Sequence, residues 1–381
     1  MKIKLSALMI AAGLTAAASP VFAAGTQIYG IINEGIAYQN WKPVSGPSTS
    51  STQLVSGQYL GSRLGIKSEE DLGHCVRVGV QLESGWYADT GMSGQNGRLF
   101  GRDARLYMDG DYGFLSAGRM GPIVGGNGPY AGLAATSAFS CGWGNIGGHL
   151  QVAGLGFEYV DNAIAYASPK FAGWDVTLQY SFGTDSQKYG TGVEGKSSVD
   201  RMYSGALRYE KNGVMVIGGI ERINFAQPAA REAGLKDGIS YNLAGSYETP
   251  WARFTAYGQY FENYTAAAKT TVFAIPSGVD GYGFNVGADI PTLGGFFKVA
   301  LGYADFEGSK LSDRTMKTYQ AAVGYTYPLS KRTSVYAGAN WITNRFSDAQ
   351  KKARPDSGKG VFDFTVGLSH KSDRMSDRFT V

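Results

Sequence analysis

The side chains with chemical capacity in this chain are charged groups that alternate with apolar ones. In the run Arg63 to Glu69, Arg63, Gly65, Lys67 and Glu69 fall on one side of an extended backbone, while Leu64 and Ile66 fall on the other. The next segment repeats the pattern: Arg77, Gln81 and Glu83 oppose Val76, Val78, Val80 and Leu82. Near the C-terminus Asp363, Thr365 and Ser369 oppose Phe362, Phe364, Val366 and Leu368. Charges set two residues apart along strands make a wall that attracts or repels ions, not an acid–base pair for bond cleavage. An arginine on the lipid side near a bilayer midplane would cost about 2 to 4 kcal/mol, so in a membrane the charged face must look into a lumen. The first strand departs from this rule, because Glu34 falls among Ile28, Ile32 and Ile36; a neighbouring subunit suits it better than lipid.

Other chemistries find little support. The three histidines, His74, His149 and His370, lack the Ser-His or acid–base context that a barrel enzyme carries at its rim. An oxidising compartment would permit a bridge between Cys75 and Cys141, but its geometric window is narrow and two separate thiols are the expectation; neither has CxxC spacing or a ligand-spaced histidine, so no metal site is expected. There is no Walker-type Gly-Lys-Ser/Thr loop, no plug before the first strand and no cofactor fingerprint, so no catalytic residue or cofactor is expected and any transport should run down-gradient. The formal charge falls from +4 to +2 once Lys2 and Lys4 are discounted, which leaves no surplus for nucleic acid. An adhesin or structural barrel would carry larger loops or an appended domain, and the chain has neither.

The elements that must position the charged wall are short strands behind an export signal. Lys2 and Lys4, the apolar stretch Leu5 to Ala18 and Val21-Phe22-Ala23 form a cleavable leader over 1–23, leaving a barrel over 24–371 and an extension over 372–381. Sixteen strands are read: Thr26 to Tyr38, Gln58 to Glu69, Cys75 to Tyr87, Arg102 to Asp109, Phe114 to Arg119, Phe157 to Ala167, Trp174 to Thr184 and Met202 to Glu210. The remaining eight are Val214 to Asn224, Ile239 to Glu248, Arg253 to Asn263, Tyr282 to Ile290, Phe296 to Phe306, Lys317 to Tyr327, Thr333 to Thr343 and Val361 to Lys371. Tight turns such as Lys211-Asn212-Gly213 alternate with long connections at 39–56, 120–156, 185–200, 225–238 and 345–360. That alternation, with 55 Gly, 24 Tyr, 19 Phe and 17% charged residues, predicts a transmembrane β-barrel whose long loops lie outside the cell. An even strand count returns both termini to the periplasmic side.

The segments GSRLGIKSEEDLG (Gly61 to Gly73), VQLESG (Val80 to Gly85) and GRLFGRDARLYMDGDYGFLSAGR (Gly97 to Arg119) resemble the general porins of Gram-negative outer membranes. DNAIAYASPKFAGW (Asp161 to Trp174), YPLSKRT (Tyr327 to Thr333) and VGLSHK (Val366 to Lys371) are similar to that family too, in the right order over nearly the whole chain. The resemblance implies an all-β, 16-stranded antiparallel barrel with an inward-folded third loop. It also implies a bacterial outer-membrane location among lipid and lipopolysaccharide, a homotrimer, and passage of small hydrophilic solutes and ions. A substrate-specific channel is the nearest alternative.

By the same resemblance Arg63 and Arg102 match two arginines of a constriction cluster, and the third, expected just before Asp161-Asn162, is replaced by Tyr159. Arg119 is a mouth residue next to the inward loop, and Lys67, Arg77, Glu83 and Arg105 line the pore. The position of Arg102 conflicts with strand parity, which groups it with Ala104, Leu106 and Met108; a bulge at Gly101 or a place above the hydrocarbon band would reconcile the two. From Met120 to Phe157 there is no Asp, Glu, Lys or Arg, so the arginines are expected to act without opposing loop carboxylates and to favour anions mildly. Relatives of this type end in Phe directly after a segment like Leu368-Ser369-His370-Lys371, whereas Ser372 and a charged tail follow here.

Overall fold

The structure, a computed structural model, describes residues 25–124, 130, 136–140, 142–147, 156, 158–226, 232, 234–264 and 278–372. The expected leader, Cys141, His149, Phe157 and the tail after Ser372 lie outside the described residues.

The strands are β1 (Gln27–Pro43), β2 (Thr49–Ser56), β3 (Arg63–Asp71), β4 (Arg77–Tyr87), β5 (Met92–Ser93), β6 (Asp103–Gly110), β7 (Gly113–Met120), β8 (Val160–Ala167) and β9 (Trp174–Ser181). They continue with β10 (Arg201–Lys211), β11 (Val214–Asn224), β12 (Gly238–Glu248), β13 (Arg253–Tyr264), β14 (Val279–Thr292), β15 (Gly295–Gly308), β16 (Leu311–Pro328), β17 (Thr333–Phe346) and β18 (Gly358–Lys371). All join one antiparallel sheet that closes where β1 pairs β18, from Ile31 opposite Lys371 to Lys42 opposite Gly360. Sixteen staves make the barrel: β2 and β3 share one, pairing the upper and lower halves of β1, and β5 pairs only the end of β4.

The strand expected from Gln58 therefore starts at Arg63, and part of the loop expected at 39–56 is β2. Asn33 causes the break. It draws 57–62 out of the sheet by accepting from Gly57 N at its carbonyl (2.9 Å) and from Tyr59 N at Oδ1 (3.1 Å), while Asn33 N donates to Ser62 Oγ (3.0 Å). At the short-turn end of the barrel Asn212-Gly213 has φ +53° and +77°, the left-handed pair that lets a two-residue hairpin join β10 to β11.

The outer face is apolar and the sheet needs lipid to cover it: Ile28 is 65% exposed, Leu106 59%, Leu243 64% and Leu301 61%. Over β9 to β16 this face carries two aromatic belts. Tyr203, Tyr241, Tyr260, Tyr282 and Tyr319 lie toward the end with long connections, and Trp174, Tyr247, Phe254, Phe296 and Tyr327 toward the other. Over β3 to β7 the middle of the same face is aliphatic, with Leu64, Ile66, Leu106, Met108 and Leu115, and exposed Tyr87 ends β4 while exposed Tyr112 sits in the turn before β7. The inner face is not uniform: its charges are densest on β3 to β8, while β9 to β18 carry scattered ones such as Arg208 with Asp175, Glu221 and Lys298 with Asp289. On β10 to β17 Met202, Ile223, Phe261, Phe306, Met316 and Phe346 are buried on the inner side and pack with Ile123, Val124 and Tyr130 from the segment after β7. A uniformly charged lumen, as strand parity in β3, β4 and β18 suggested, holds for part of the wall.

Candidate functional site

The charged part of the inner wall is built by β3, β4, β6, β7 and β8. Arg63 opens β3 directly after the 57–62 break, and its Nε donates to Gly61 O (2.9 Å). One strand over, Glu83 of β4 lies opposite Gly65, and the missing side chain there leaves room for the Tyr29 ring, whose hydroxyl donates to Glu83 Oε2 (3.0 Å). Arg102 Nε donates to Glu83 Oε1 (2.6 Å), and Arg63 Nη1 stands 3.7 Å from the same oxygen. The parity conflict for Arg102 dissolves because β6 begins at Asp103: Arg102 precedes the strand and lies over Gly85, where a Cβ would come within 2.9 Å of its Cδ.

Arg119 reaches the same wall through a bulge. The register of β7 against β8 shifts between Gly118 and Met120, where Arg119 stands against two residues of β8, Asp161 and Asn162; with Gly118 at φ +136° and Asn162 at φ +49°, this bulge brings Arg119 to Asp161. Its Nε donates to Gly101 O (2.7 Å) and its guanidinium pairs with Asp161 of β8. Asp161 also accepts from Arg98 Nη2 (2.9 Å), Ser186 N (2.7 Å) and Ser186 Oγ (2.6 Å), and Arg98 bridges on to Asp185 Oδ1 (2.8 Å). The loop after β9 is thereby tied to the wall. Partial burial pushes the Asp185 carboxyl up, but Lys188, the Gln187 N–H and Arg98 outweigh it and hold the group below its ordinary value. Tyr159 fills the space between the two halves, its ring 5.4 Å from the Arg102 guanidinium and 5.5 Å from that of Arg119.

Arg63, Arg102, Arg119 and Tyr159 are thus brought together, with Glu83 between the first two. Arg105 lies on the same wall but is sealed, 2% exposed, paired with Asp103 (2.8 Å) and packed on Tyr107 and Phe114. Lys67 pairs with Glu69 (3.2 Å), and Arg77 pairs with Asp109 nearer the short-turn end. The arginines do have carboxylate partners, supplied by the wall in place of the uncharged loop. Yet the side chains of Arg63, Arg98, Arg102 and Arg119 keep 11–16% of their surface, against 6–7% for Glu83 and Asp161. Around Glu83 and Asp161 solvent meets guanidinium before carboxylate, whereas Asp185 at 23% is more exposed than its partner Arg98. Sequence reasoning missed Arg98 and Asp185 because their pairing is made by two loops; the one hint was Arg98 within the GRLFGRDARL run. Among the described residues no cluster of His, Cys, Asp or Glu could hold a metal ion, and Cys75 is exposed in the turn before β4.

Across the lumen the described part of the segment after β7 touches the other wall. Trp143 is 1% exposed and packs edge-on against Tyr59 (5.2 Å), Phe139 (5.4 Å) and Tyr336 of β17 (5.7 Å). Gly324 and Gly338 form its floor, where a Cβ would lie 3.1 and 2.9 Å from the indole. Trp143 N donates to Tyr59 O (3.2 Å), and Lys298 Nζ donates to Ala138 O (3.0 Å) while pairing with Asp289 (2.7 Å).

Residues 5–347 match the family described as Gram-negative porin. An outer membrane porin protein of Bordetella pertussis is 28% identical, over 88% of this chain and 94% of its own length. Outer membrane porin protein 32 of Delftia acidovorans is 27% identical, over 89% of each chain. Among solved structures, the anion-selective porin from Comamonas acidovorans superposes with a TM-score of 0.68 at 22% identity, covering 91% of this chain and 99% of that one. The trimer form of OmpT from Vibrio cholerae gives 0.63 at 13% identity, covering 92% and 99%.

Proposed function

The chain belongs to the Gram-negative porin family and is a passive outer-membrane channel, and from that premise we propose that its selectivity is mildly anionic and set by the wall of Arg63, Arg98, Arg102 and Arg119. The observation that carries this is the layering of charge at the centre of the cluster: Arg63, Arg102 and Arg119 are more exposed than Glu83 and Asp161, which neutralise them, while Asp185, the second partner of Arg98, is itself partly exposed. In a narrow pore with low-dielectric walls such a surface raises the local chloride concentration, and at physiological salt the effect reaches only about 8 Å, so it acts where the lumen is tight. A relative in fold, the Comamonas acidovorans protein, is described as anion-selective, which supports the same sign. The family and relatives point to a channel and not to an enzyme.

The tightness is proposed to come from 121–158. Ile123 and Val124 join one apolar cluster on the inner wall and Phe139, Trp143 and Ile146 a second one on β15 to β17, so the segment is read as the constriction loop. A leader over 1–23 and an extension over 372–381 belong to the same reading. A homotrimer is proposed as the assembly, with the outer face of β3 to β7 turned to the neighbouring copies, because its middle is aliphatic and its aromatic groups are sparser than the belts over β9 to β16. Outer-membrane lipid, lipopolysaccharide and small hydrophilic solutes are the remaining partners proposed. Planar-bilayer recording tests the reading. Stepwise conductance should scale with bulk salt conductivity, and the zero-current potential in a potassium chloride gradient should carry the sign of chloride. A potential of the potassium sign would overturn the selectivity.

A further inference from the structure

Near the short-turn end, four charges stand in register across consecutive strands on the inner face: Glu248 of β12, Arg253 of β13, Asp289 of β14 and Lys298 of β15, each directly opposite the next. Their signs alternate. Asp289 and Lys298 pair at 2.7 Å, and Lys298 Nζ also donates to Ala138 O (3.0 Å), so these two are committed to seating the segment after β7. Glu248 and Arg253 are left over. Opposite charges in facing positions ordinarily attract one another, yet among the described residues neither side chain has an ion pair or a side-chain hydrogen bond. Glu248 is exposed at the mouth and Arg253 is half-buried. One inward-facing step along β13, Thr255 is 5% exposed and its hydroxyl has no hydrogen-bond partner among the described residues. That hydroxyl lies over Gly287, where a Cβ would stand 3.2 Å from it and 3.0 Å from Ala138 Cβ.

We propose that Glu248 and Arg253 form a binding site at the short-turn mouth for small zwitterions, α-amino acids in particular, with the solute's carboxylate on the Arg253 guanidinium and its ammonium on Glu248. This deepens the reading of the chain as a passive channel and rests on it. A guanidinium fork takes a carboxylate through two charge-assisted hydrogen bonds, and a carboxylate takes an ammonium through a bond of the same kind. An α-amino acid carries both groups on one carbon, so it can answer two facing residues whose Cα atoms lie about 4.5 to 5.5 Å apart. A simple anion would be repelled by Glu248, and a simple cation by Arg253. The Thr255 hydroxyl next to Arg253 is a further donor for the solute's carboxylate. The four charges of the row sum to zero, so the row leaves the sign of the chloride filter to the arginine wall.

The test records the full-length protein in a planar bilayer at neutral pH and about 0.1 M potassium chloride, where charges still act over about 10 Å. Alanine, its anionic analogue lactate and its cationic analogue isopropylamine are added in turn, and the growth of open-channel current noise with concentration gives the half-saturation of each. Alanine should half-saturate the noise at a concentration at least about tenfold below either analogue, and Glu248→Gln with Arg253→Gln should erase that margin. The swapped pair Glu248→Arg with Arg253→Glu should keep it, because a zwitterion binds equally well reversed. Equal half-saturation for the three solutes, or an undiminished margin in the glutamine pair, would overturn the site. Tighter binding of lactate than of alanine would assign Arg253 to anions and overturn the zwitterion. Loss of the margin in the swapped pair as well would reduce the two side chains to a structural role, again against the proposal. The stepwise current in the same traces keeps the two readings apart: steps without an alanine preference sink the site alone, whereas absence of steps sinks the channel and the site with it.

Discussion

The two sides of the lumen are made from the same element by different rules. On β3 to β8 inward positions carry Arg63, Glu83, Asp103, Arg105 and Asp161, each held by an ion pair or a hydrogen bond to a neighbouring strand. On β10 to β17 they carry Met202, Ile223, Phe261, Ala300, Ala322 and Tyr336, buried against described residues of the segment after β7. One wall keeps its charges at the solvent; the other gives up its solvent face to seat a loop. A pore of this kind needs both, because a charged wall filters only if something opposite keeps ions within a Debye length of it.

Removing the seat should have the largest effect. Trp143→Ala deletes a fully buried indole whose loss costs about 3 to 5 kcal/mol in comparable cores, and the loop should detach from Tyr59 and Tyr336. Single-channel recording should then show higher conductance and more open-state noise with weaker selectivity; unchanged conductance would break the distinction between the walls. Next comes the charged wall's own framework. Glu83→Gln removes the carboxylate that Arg63 and Arg102 share and that Tyr29 donates to, and should cost about 1.5 to 3 kcal/mol of stability while raising chloride preference. Thermal unfolding and reversal potential together check this, and a fall in chloride preference would contradict the layering of charge.

The smallest effect belongs to the loop clamp at Asp185. Its carboxyl lies below the ordinary value near 3.9, so the contribution of its pairs with Arg98 and Lys188 is complete above that pH and fades as pH falls through the lowered value. Partly exposed pairs of this type contribute about 0 to 1 kcal/mol. Open-channel noise should therefore rise below about pH 4, and Asp185→Asn should show that noise already at neutral pH.

Much of the barrel was legible in the sequence because alternation is a local signal. β11 runs over Val214–Asn224 as read, and the tight turns fall at Gly110 to Gly113 and Asn212-Gly213. What was not legible depends on partners distant in the chain. The break before Arg63 needs Asn33, the approach of Arg119 to Asp161 needs a bulge in β8, and the carboxylates that pair with the arginines come from strands and loops up to 87 residues away. The apolar inner residues of β10 to β17 were hidden for a related reason. Parity assigns a residue to a face, but only the folded loop tells whether that face is wet.

The central claim is that the charged wall alone sets selectivity, and matched charge reversals on the two sides test it most directly. Arg63→Glu lies in the arginine cluster, while Arg208→Glu lies on β10 beside Asp175, away from the loop contacts. Zero-current potentials in a potassium chloride gradient should move strongly toward potassium for Arg63→Glu and little for Arg208→Glu. Equal shifts, or a larger one for Arg208→Glu, would contradict the account.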